Sequence, residues 1–124
     1  ARAMGLFSAG DIDIAGAQTE FQAWLIEGER VLAAFRTIRD TVLLTNLRFI
    51  FVDVQGLTGS KKDFQSIPWR SVTRFSFETA GTFDLDADMK VWVSGAATPL
   101  EVKISRKSDP QKIQQLMAQL IVGR

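Results

Sequence analysis

The sequence predicts a mainly β domain, a barrel or sandwich of seven short antiparallel strands with a helix at each end of the chain. Three observations carry this prediction. Apolar residues recur at every second position through most of residues 29–107, as in strands that bury one face. Turn-forming residues interrupt that pattern about every 8–12 residues. The last segment changes to helical spacing and has a helix start at Asp109-Pro110.

Composition limits the function classes that this chain can serve. Its 124 residues are 46% apolar and 23% charged, which suits one soluble globular domain. Fifteen Lys and Arg against fourteen Asp and Glu leave a net charge of +1, which gives no strong field toward nucleic acid. The absence of Cys, His and Tyr excludes disulfides, thiolate or imidazole metal sites and imidazole catalysis. We therefore expect no enzyme activity, no cofactor, no metal and no nucleic-acid partner.

The N-terminal part of the chain predicts a short amphipathic helix over residues 11–27. Asp11 or Asp13 is its expected cap, and Gly28 is its expected end. Residues 1–3 are expected to be an expression remnant, so the predicted single domain covers residues 4–124. No apolar run is long enough to span a membrane and no signal-peptide pattern is present, which makes cytoplasmic residence the expectation.

Seven strands are predicted within residues 29–107, at 31–38, 42–44, 47–54, 61–67, 72–79, 83–93 and 100–104. The third strand is apolar on both faces, because Phe49 and Phe51 alternate with Ile50 and Val52. One of these faces can fill the interior. The other must meet either the N-terminal helix or another subunit, and the sequence leaves both open.

The C-terminal helix is predicted over residues 109–122. Asp109 is the expected N-cap in an extended conformation, the one preferred before a proline, and Pro110 suits the first helical position. One apolar stripe runs along the helix, formed by Ile113, Leu116, Met117, Leu120 and Ile121. A helix this short needs a surface to cover, and the open end of the barrel is the expected one.

Nine short motifs follow one another along nearly the whole chain: MGLF at 4–7, GE at 28–29, IRD at 38–40, TNLR at 45–48, DVQGLTG at 53–59, IP at 67–68, FETAG at 77–81, FDLDA at 83–87 and VWVSG at 91–95. In this order and spacing they resemble the bacterial pleckstrin-homology domain family. The resemblance implies a bent seven-stranded barrel capped by one C-terminal helix. It implies no activity or cofactor, but it does imply cyclic homo-oligomeric rings and a polar protein-binding surface where neighbouring sheets meet.

The sixth predicted strand carries the main candidate site. Asp84, Asp86 and Asp88 alternate with apolar residues, so they share an outward face. A calcium loop is excluded, since positions 89 and 95 lack the Gly and Glu that such a loop needs. The acidic row is either a solvated face that protects an edge or, with Glu78, a polar docking surface. Trp92 shares this face and is either an interface anchor or a side chain covered within the subunit.

A second candidate site is a set of cations around the first hairpin and a later turn. It consists of Arg36, Arg39 and Arg48, together with Lys61 and Lys62. Arginine forks suit phosphate, which favours a peripheral phosphoinositide or anionic-lipid binder. The net charge of +1 instead favours scattered surface cations.

The leading prediction is a non-catalytic interaction module that self-assembles into a cyclic homo-oligomer and presents a polar strand surface to an unidentified protein. The candidate interface consists of Trp92, Ile50, Val52, Glu78, Asp84, Asp86, Asp88 and Lys90. The alternative is the lipid-binding domain, with Arg36, Arg39, Lys61 and Lys62 as phosphate ligands.

Overall fold

Seven strands and two α-helices make up the computed structural model, which describes residues 13–37, 40–79, 87–105 and 108–123. In chain order the elements are α1 (Ile14–Glu20), a 3-10 turn (Gln22–Trp24), β1 (Val31–Arg36), β2 (Thr41–Thr45), β3 (Arg48–Gln55), β4 (Lys61–Pro68), a 3-10 turn (Trp69–Ser71), β5 (Val72–Thr79), β6 (Ala87–Val93), β7 (Leu100–Ile104) and α2 (Pro110–Ile121). The predicted start of the sixth strand, residues 83–86, lies outside the described residues.

The strands form two antiparallel sheets in chain order, β1-β2-β3-β4 and β5-β6-β7. The chain passes from the first sheet to the second through the 3-10 turn at Trp69–Ser71. The main core lies between the sheets, where Leu44 and Phe49 of the first share one cluster with Met89 and Val91 of the second. This architecture confirms the predicted mainly β class and the alternation from which it was derived.

Helix α2 covers the main core, as the apolar stripe predicts. Ile113, Leu116 and Met117 are buried in the cluster between the sheets. Leu120 and Ile121 are partly buried and pack against the same cluster. Burying one stripe in this way gives a 12-residue helix the tertiary support that it lacks in isolation.

Asp109 caps α2, but the predicted extended backbone of that cap is wrong. Its side chain accepts a hydrogen bond from the Lys112 N–H at 3.4 Å, which confirms the N-cap. Its backbone is left-handed, with φ 55° and ψ 73°. The amide of Ser108 already bonds back to the Ser105 carbonyl at 2.9 Å, so the chain is turning sharply before the helix. Asp is one of the few residue types that tolerate such a φ.

Helix α1 is shorter than the helix predicted over residues 11–27. It covers Ile14–Glu20, with Asp13 as its N-cap through a 2.6 Å bond from the Gly16 amide to a carboxylate oxygen. The chain then leaves the α conformation at Phe21, whose ring meets the Phe64 ring of β4 edge to face at 6.4 Å. Docking of aromatic rings onto the first sheet thus replaces further helical turns. Gly28, the predicted end, lies in a turn eight positions after Glu20, with φ 82°.

A second apolar cluster lies on the opposite side of the first sheet from the main core. Ile50 and Val52 are 3% and 1% exposed there, packed with Ile14, Ala17 and Phe21 of the N-terminal segment. The layers therefore follow the order α1, first sheet, main core, second sheet. The outer side of the second sheet and the α1 side of the first are opposite surfaces of the molecule.

Candidate functional site

The candidate surface is the outer face of the second sheet, which we call the β6 face. Met89 and Val91 of β6 point into the core, so the residues between and beside them point outward. Cross-strand pairing with β5 and β7 completes this face, which consists of Arg74, Ser76, Glu78, Asp88, Lys90, Trp92, Glu101 and Lys103. Three cations and three carboxylates on neighbouring strands make the surface polar and close to neutral.

Trp92 is the one large aromatic side chain of the β6 face. Its ring is partly buried, and the guanidinium carbon of Arg74 lies 4.4 Å from the ring centroid. Arg74 is its cross-strand partner on β5 and is itself exposed. Cation–π attraction holds such a pair together by about 0.5–1 kcal/mol at exposed sites. A neighbouring side chain of the same sheet therefore covers part of Trp92.

Asp88 is the member of the predicted acidic row that the structure describes, and its side chain is exposed. It lies opposite Glu78 of β5 and Lys103 of β7, and its carboxylate is 3.8 Å from the Lys103 ammonium. Both groups of this pair are mostly exposed, so solvent screening leaves the contact weak. Asp84 and Asp86 lie outside the described residues.

Ile50 and Val52 are not part of any exposed surface, which corrects their inclusion in the candidate interface. Of the two coverings that the sequence left open, the N-terminal helix is the one present. Both side chains are buried beneath it within one chain, because α1 places its own apolar face on this side of β3. A partner that approaches the folded chain meets α1 rather than these two residues.

The predicted phosphate-binding cations that the structure describes, Arg36, Lys61 and Lys62, do not come together. Arg36 on β1 is 3.5 Å from the Glu20 carboxylate of α1, which partly neutralises it. β2 and β3 separate β1 from β4, so three strand spacings, roughly 14 Å, lie between the backbones that carry Arg36 and Lys62. Lys61 and Lys62 are successive residues of β4 and point to opposite faces. Arg39 lies outside the described residues.

Sequence reasoning missed a buried ion pair between Glu29 and Arg48. Arg48 donates from Nε to Oε2 of Glu29 at 2.8 Å and from Nη2 to Oε1 at 2.9 Å. The carboxylate also accepts from the Thr45 hydroxyl at 2.7 Å and the Ile26 amide at 3.0 Å. Burial alone would raise the pKa of Glu29, but these hydrogen bonds and the Arg48 charge lower it below its ordinary value.

Arg48 also ties the N-terminal segment to the edge of the first sheet. Its Nη2 donates to the Trp24 carbonyl at 2.8 Å, and its Nη1 donates to the Ser66 hydroxyl of β4 at 2.9 Å. The indole of Trp24 stacks on Phe64 of β4, with ring centroids 3.8 Å apart and planes 13° apart. Glu29 and Arg48 belong to two of the motifs that carry the family resemblance, at 28–29 and 45–48. Nothing in the spacing of these motifs indicated that the two side chains meet.

Around this ion pair lies an exposed apolar patch that the sequence analysis did not identify. Trp24, Ile26 and Leu47 are 55%, 62% and 42% exposed. Arg48 binds the Trp24 carbonyl, Glu29 binds the Ile26 amide, and Leu47 precedes Arg48, so the backbones of the three residues lie next to one ion pair. We call these three residues the Trp24 patch. The other large exposed apolar side chains among the described residues, Leu57 and Val122, lie in other parts of the chain.

The residues that the structure describes, 13–37, 40–79, 87–105 and 108–123, hold neither a candidate metal site nor a candidate membrane-spanning helix. No three His, Cys, Asp or Glu side chains of these ranges are grouped as a metal would require. Within the same ranges, no helix is both long and apolar enough to cross a membrane.

The comparisons with known proteins agree with the fold. The family model for the bacterial PH domain matches residues 3–121. The uncharacterized protein YjqA of Bacillus subtilis (strain 168) is 48% identical over 104 residues, which is 84% of this chain and 83% of YjqA. The uncharacterized protein YozO of the same strain is 26% identical over 92% of this chain and 95% of its own length.

Two crystal structures show the same architecture. A pleckstrin homology domain from Shewanella amazonensis SB2B is 36% identical, with a TM-score of 0.76 over 91% of each chain. A DUF1696 family protein with a pleckstrin-homology domain from Shewanella loihica PV-4 is also 36% identical, with a TM-score of 0.83 over 90% of this chain and 96% of that one. With a family model that covers nearly the whole chain, these likenesses show that the chain belongs to the bacterial PH domain family.

Proposed function

We propose that this bacterial PH domain is a non-catalytic interaction module that assembles into a cyclic homo-oligomer and presents its β6 face to a protein partner. The fold supports the assignment of the chain as a binding module, since a PH-like domain is in general a binding module. The single observation that supports assembly and partner binding through the β6 face is the position of Trp92. Its ring is partly buried and is contacted by Arg74 on an otherwise polar face.

The chemistry of the β6 face suits contact with protein. Trp and Arg are the residue types most enriched where alanine substitution costs the most binding energy, and here they already touch. Because Arg74 orders the ring beforehand, less side-chain entropy is lost on association. The exposed Glu78 and Asp88 supply a polar rim around that centre.

The experiment is light scattering of the purified chain and of Trp92→Glu. We expect the unmodified chain to have the mass of several copies and the variant to have a lower mass, with unchanged β-rich circular dichroism. Leu57→Glu is the matched control, since it places the same charge on a fully exposed side chain that lies outside the β6 face. An unmodified chain with the mass of one copy, or a variant with unchanged mass, overturns the proposal.

The lipid-binding alternative is tested by sedimentation with phosphoinositide vesicles at low salt. We expect no retention, because Arg36 is paired with Glu20 and lies far from Lys62. Retention that falls with added salt, and that Arg36→Ala and Lys62→Ala both reduce, would support the lipid function instead. Cytoplasmic residence stays a prediction from the sequence.

A further inference from the structure

A closed ring of more than two copies needs two different contact surfaces on each chain. Every subunit then meets one neighbour with one surface and the other neighbour with the other, whereas a single self-complementary surface gives only pairs. The β6 face supplies one surface under the proposed function, on which the present inference rests. The Trp24 patch has the properties of the second.

Contacts within the chain hold one side of the Trp24 ring and the backbone of all three residues of the Trp24 patch. One side of the Trp24 ring is stacked on Phe64, and its carbonyl is held by Arg48, so the exposed side of the indole is presented in a fixed orientation. The Ile26 amide is fixed by the buried carboxylate of Glu29, and the Leu47 amide is fixed by the Thr45 hydroxyl at 3.0 Å. A surface that is ordered before binding loses less entropy when a partner docks.

The two surfaces lie on opposite sides of the molecule. The Trp24 patch rests on Phe64, which packs with the cluster on the α1 side of the first sheet. Trp92 lies on the outer side of the second sheet, beyond the main core. Because neither surface hinders the other, one chain can meet two neighbours at once, as a head-to-tail assembly requires.

Charge favours a second copy of this chain over a membrane as the occupant of the Trp24 patch. The exposed residues that flank the patch in sequence, Glu27 and Arg30, cancel each other's charge, and the whole chain carries only +1. Membrane-surface segments usually combine apolar side chains with an excess of Lys and Arg. The β6 face offers the complement, since Trp92 provides apolar area among side chains of both charges that can face Glu27 and Arg30.

We propose that the Trp24 patch of one chain docks around Trp92 and Arg74, at one end of the β6 face of the next chain, so that Trp24, Ile26 and Leu47 form one half of the repeated contact. The other end of that face, where Glu78 pairs with Asp88, is then left for the protein partner. The contact is then heterologous: each copy uses its Trp24 patch toward one neighbour and its β6 face toward the other.

The test is a mixing experiment with two variants, each of which lacks one surface. Trp24→Glu removes the Trp24 patch and Trp92→Glu removes the β6 face. Each variant alone should have the mass of one chain by light scattering. Their equimolar mixture should have twice that mass and no more, because a pair uses the only intact patch and the only intact face. Leu57→Glu is the control and should keep the mass of the unmodified chain.

A second variant keeps the test decisive if Trp24→Glu disturbs the stack on Phe64 and lowers the circular dichroism signal. Ile26→Glu then replaces Trp24→Glu in the mixture. The Ile26 side chain is 62% exposed, and the bond of this residue to Glu29 is made by the backbone amide, which the substitution keeps. A mixture that stays at the mass of one chain overturns the inference. A Trp92→Glu variant that pairs with itself also overturns it and points to a self-complementary Trp24 patch.

The same measurements separate this inference from the proposed function. If the unmodified chain assembles and Trp92→Glu disrupts it, but both Trp24→Glu and Ile26→Glu assemble normally, then the inference fails and the proposed function stands. If the unmodified chain has the mass of one copy, the proposed function itself fails.

Discussion

The guanidinium of Arg48 and the carboxylate of Glu29 form a bidentate ion pair, although 19 positions separate the two residues in sequence. The carboxylate is fully shielded from solvent, while the guanidinium is about one-quarter exposed. Three of the four groups that donate to this carboxylate, the two guanidinium N–H groups of Arg48 and the Thr45 hydroxyl, belong to a segment that the fold must first bring to Glu29. The fourth is the amide of Ile26, only three positions away. The pair therefore joins the N-terminal segment, the β2–β3 turn and, through Ser66, the edge strand β4.

Arg48→Met is expected to destabilise the fold by about 3–5 kcal/mol, because it leaves the Glu29 carboxylate buried without its charge partner. Chemical denaturation measures the loss. Adding Glu29→Gln to Arg48→Met should restore part of it, since the amide is neutral and keeps an acceptor for the Ile26 amide. A loss under about 1 kcal/mol for Arg48→Met would contradict the assigned role.

Stability should fall in acid through Glu29. Its pKa is lowered in the folded chain from an ordinary value of 4.5, so the unfolded chain binds the proton first as pH falls. The stabilising contribution of Glu29 is therefore complete above pH 4.5 and is lost as pH drops through the lower folded value. The free energy of unfolding, measured at a series of pH values from neutral to below 4.5, should fall less steeply for Glu29→Gln than for the unmodified chain. Equal slopes for the two proteins would disprove this account.

Trp69→Phe should cost about 1–3 kcal/mol of unfolding free energy. The Trp69 indole donates from Nε1 to the buried Thr45 carbonyl at 2.8 Å, and phenylalanine leaves that acceptor without this donor. The edge-to-face contact with Phe49 at 6.2 Å can persist, which separates the hydrogen bond from ring packing. Trp92→Phe is the control and should change stability by less, since Trp92 is only partly buried. Similar losses for both variants would argue against the hydrogen bond as the cause.

Substitutions of Asp109 test how much the left-handed N-cap of α2 contributes to stability. Asp109→Ala should lose about 2 kcal/mol, because it removes the cap and places a side chain without local hydrogen bonds at φ 55°. Asp109→Asn should lose less than about 0.5 kcal/mol, since asparagine caps helices well and tolerates this backbone. Thermal unfolding of the two variants gives the comparison. An asparagine variant as unstable as the alanine variant would show that the charge of Asp109, rather than its geometry, matters.

The fold was largely predictable because each strand and the last helix follow a local rule. Alternation placed Phe49 and Phe51 on one face and Ile50 and Val52 on the other, and both faces are buried as expected. The helical stripe likewise selected Ile113, Leu116 and Met117 for the core. Errors arose where tertiary contacts override local preference, as at Phe21, where ring packing on Phe64 ends α1 early.

The candidate site was less predictable than the fold. Outward orientation of Trp92 and Asp88 followed from alternation, but the Arg74 guanidinium over the Trp92 ring depends on cross-strand register. The Trp24 patch had no sequence signal at all. Trp24 fell within the helix predicted over residues 11–27. In the fold, one side of its ring stacks on Phe64 and its carbonyl binds Arg48, which leaves the opposite side of the ring exposed.

By itself, the sequence determined which residues lie in strands and helices and which face of each strand is apolar, because those properties depend on neighbours two to four positions away. The three-dimensional fold decided what covers each face. It put α1 over Ile50 and Val52, joined Glu29 to Arg48, and left Trp24, Ile26 and Leu47 in solvent. The physical reason is that burial and ion pairing depend on which distant segments meet, and periodicity along the chain carries no information about that.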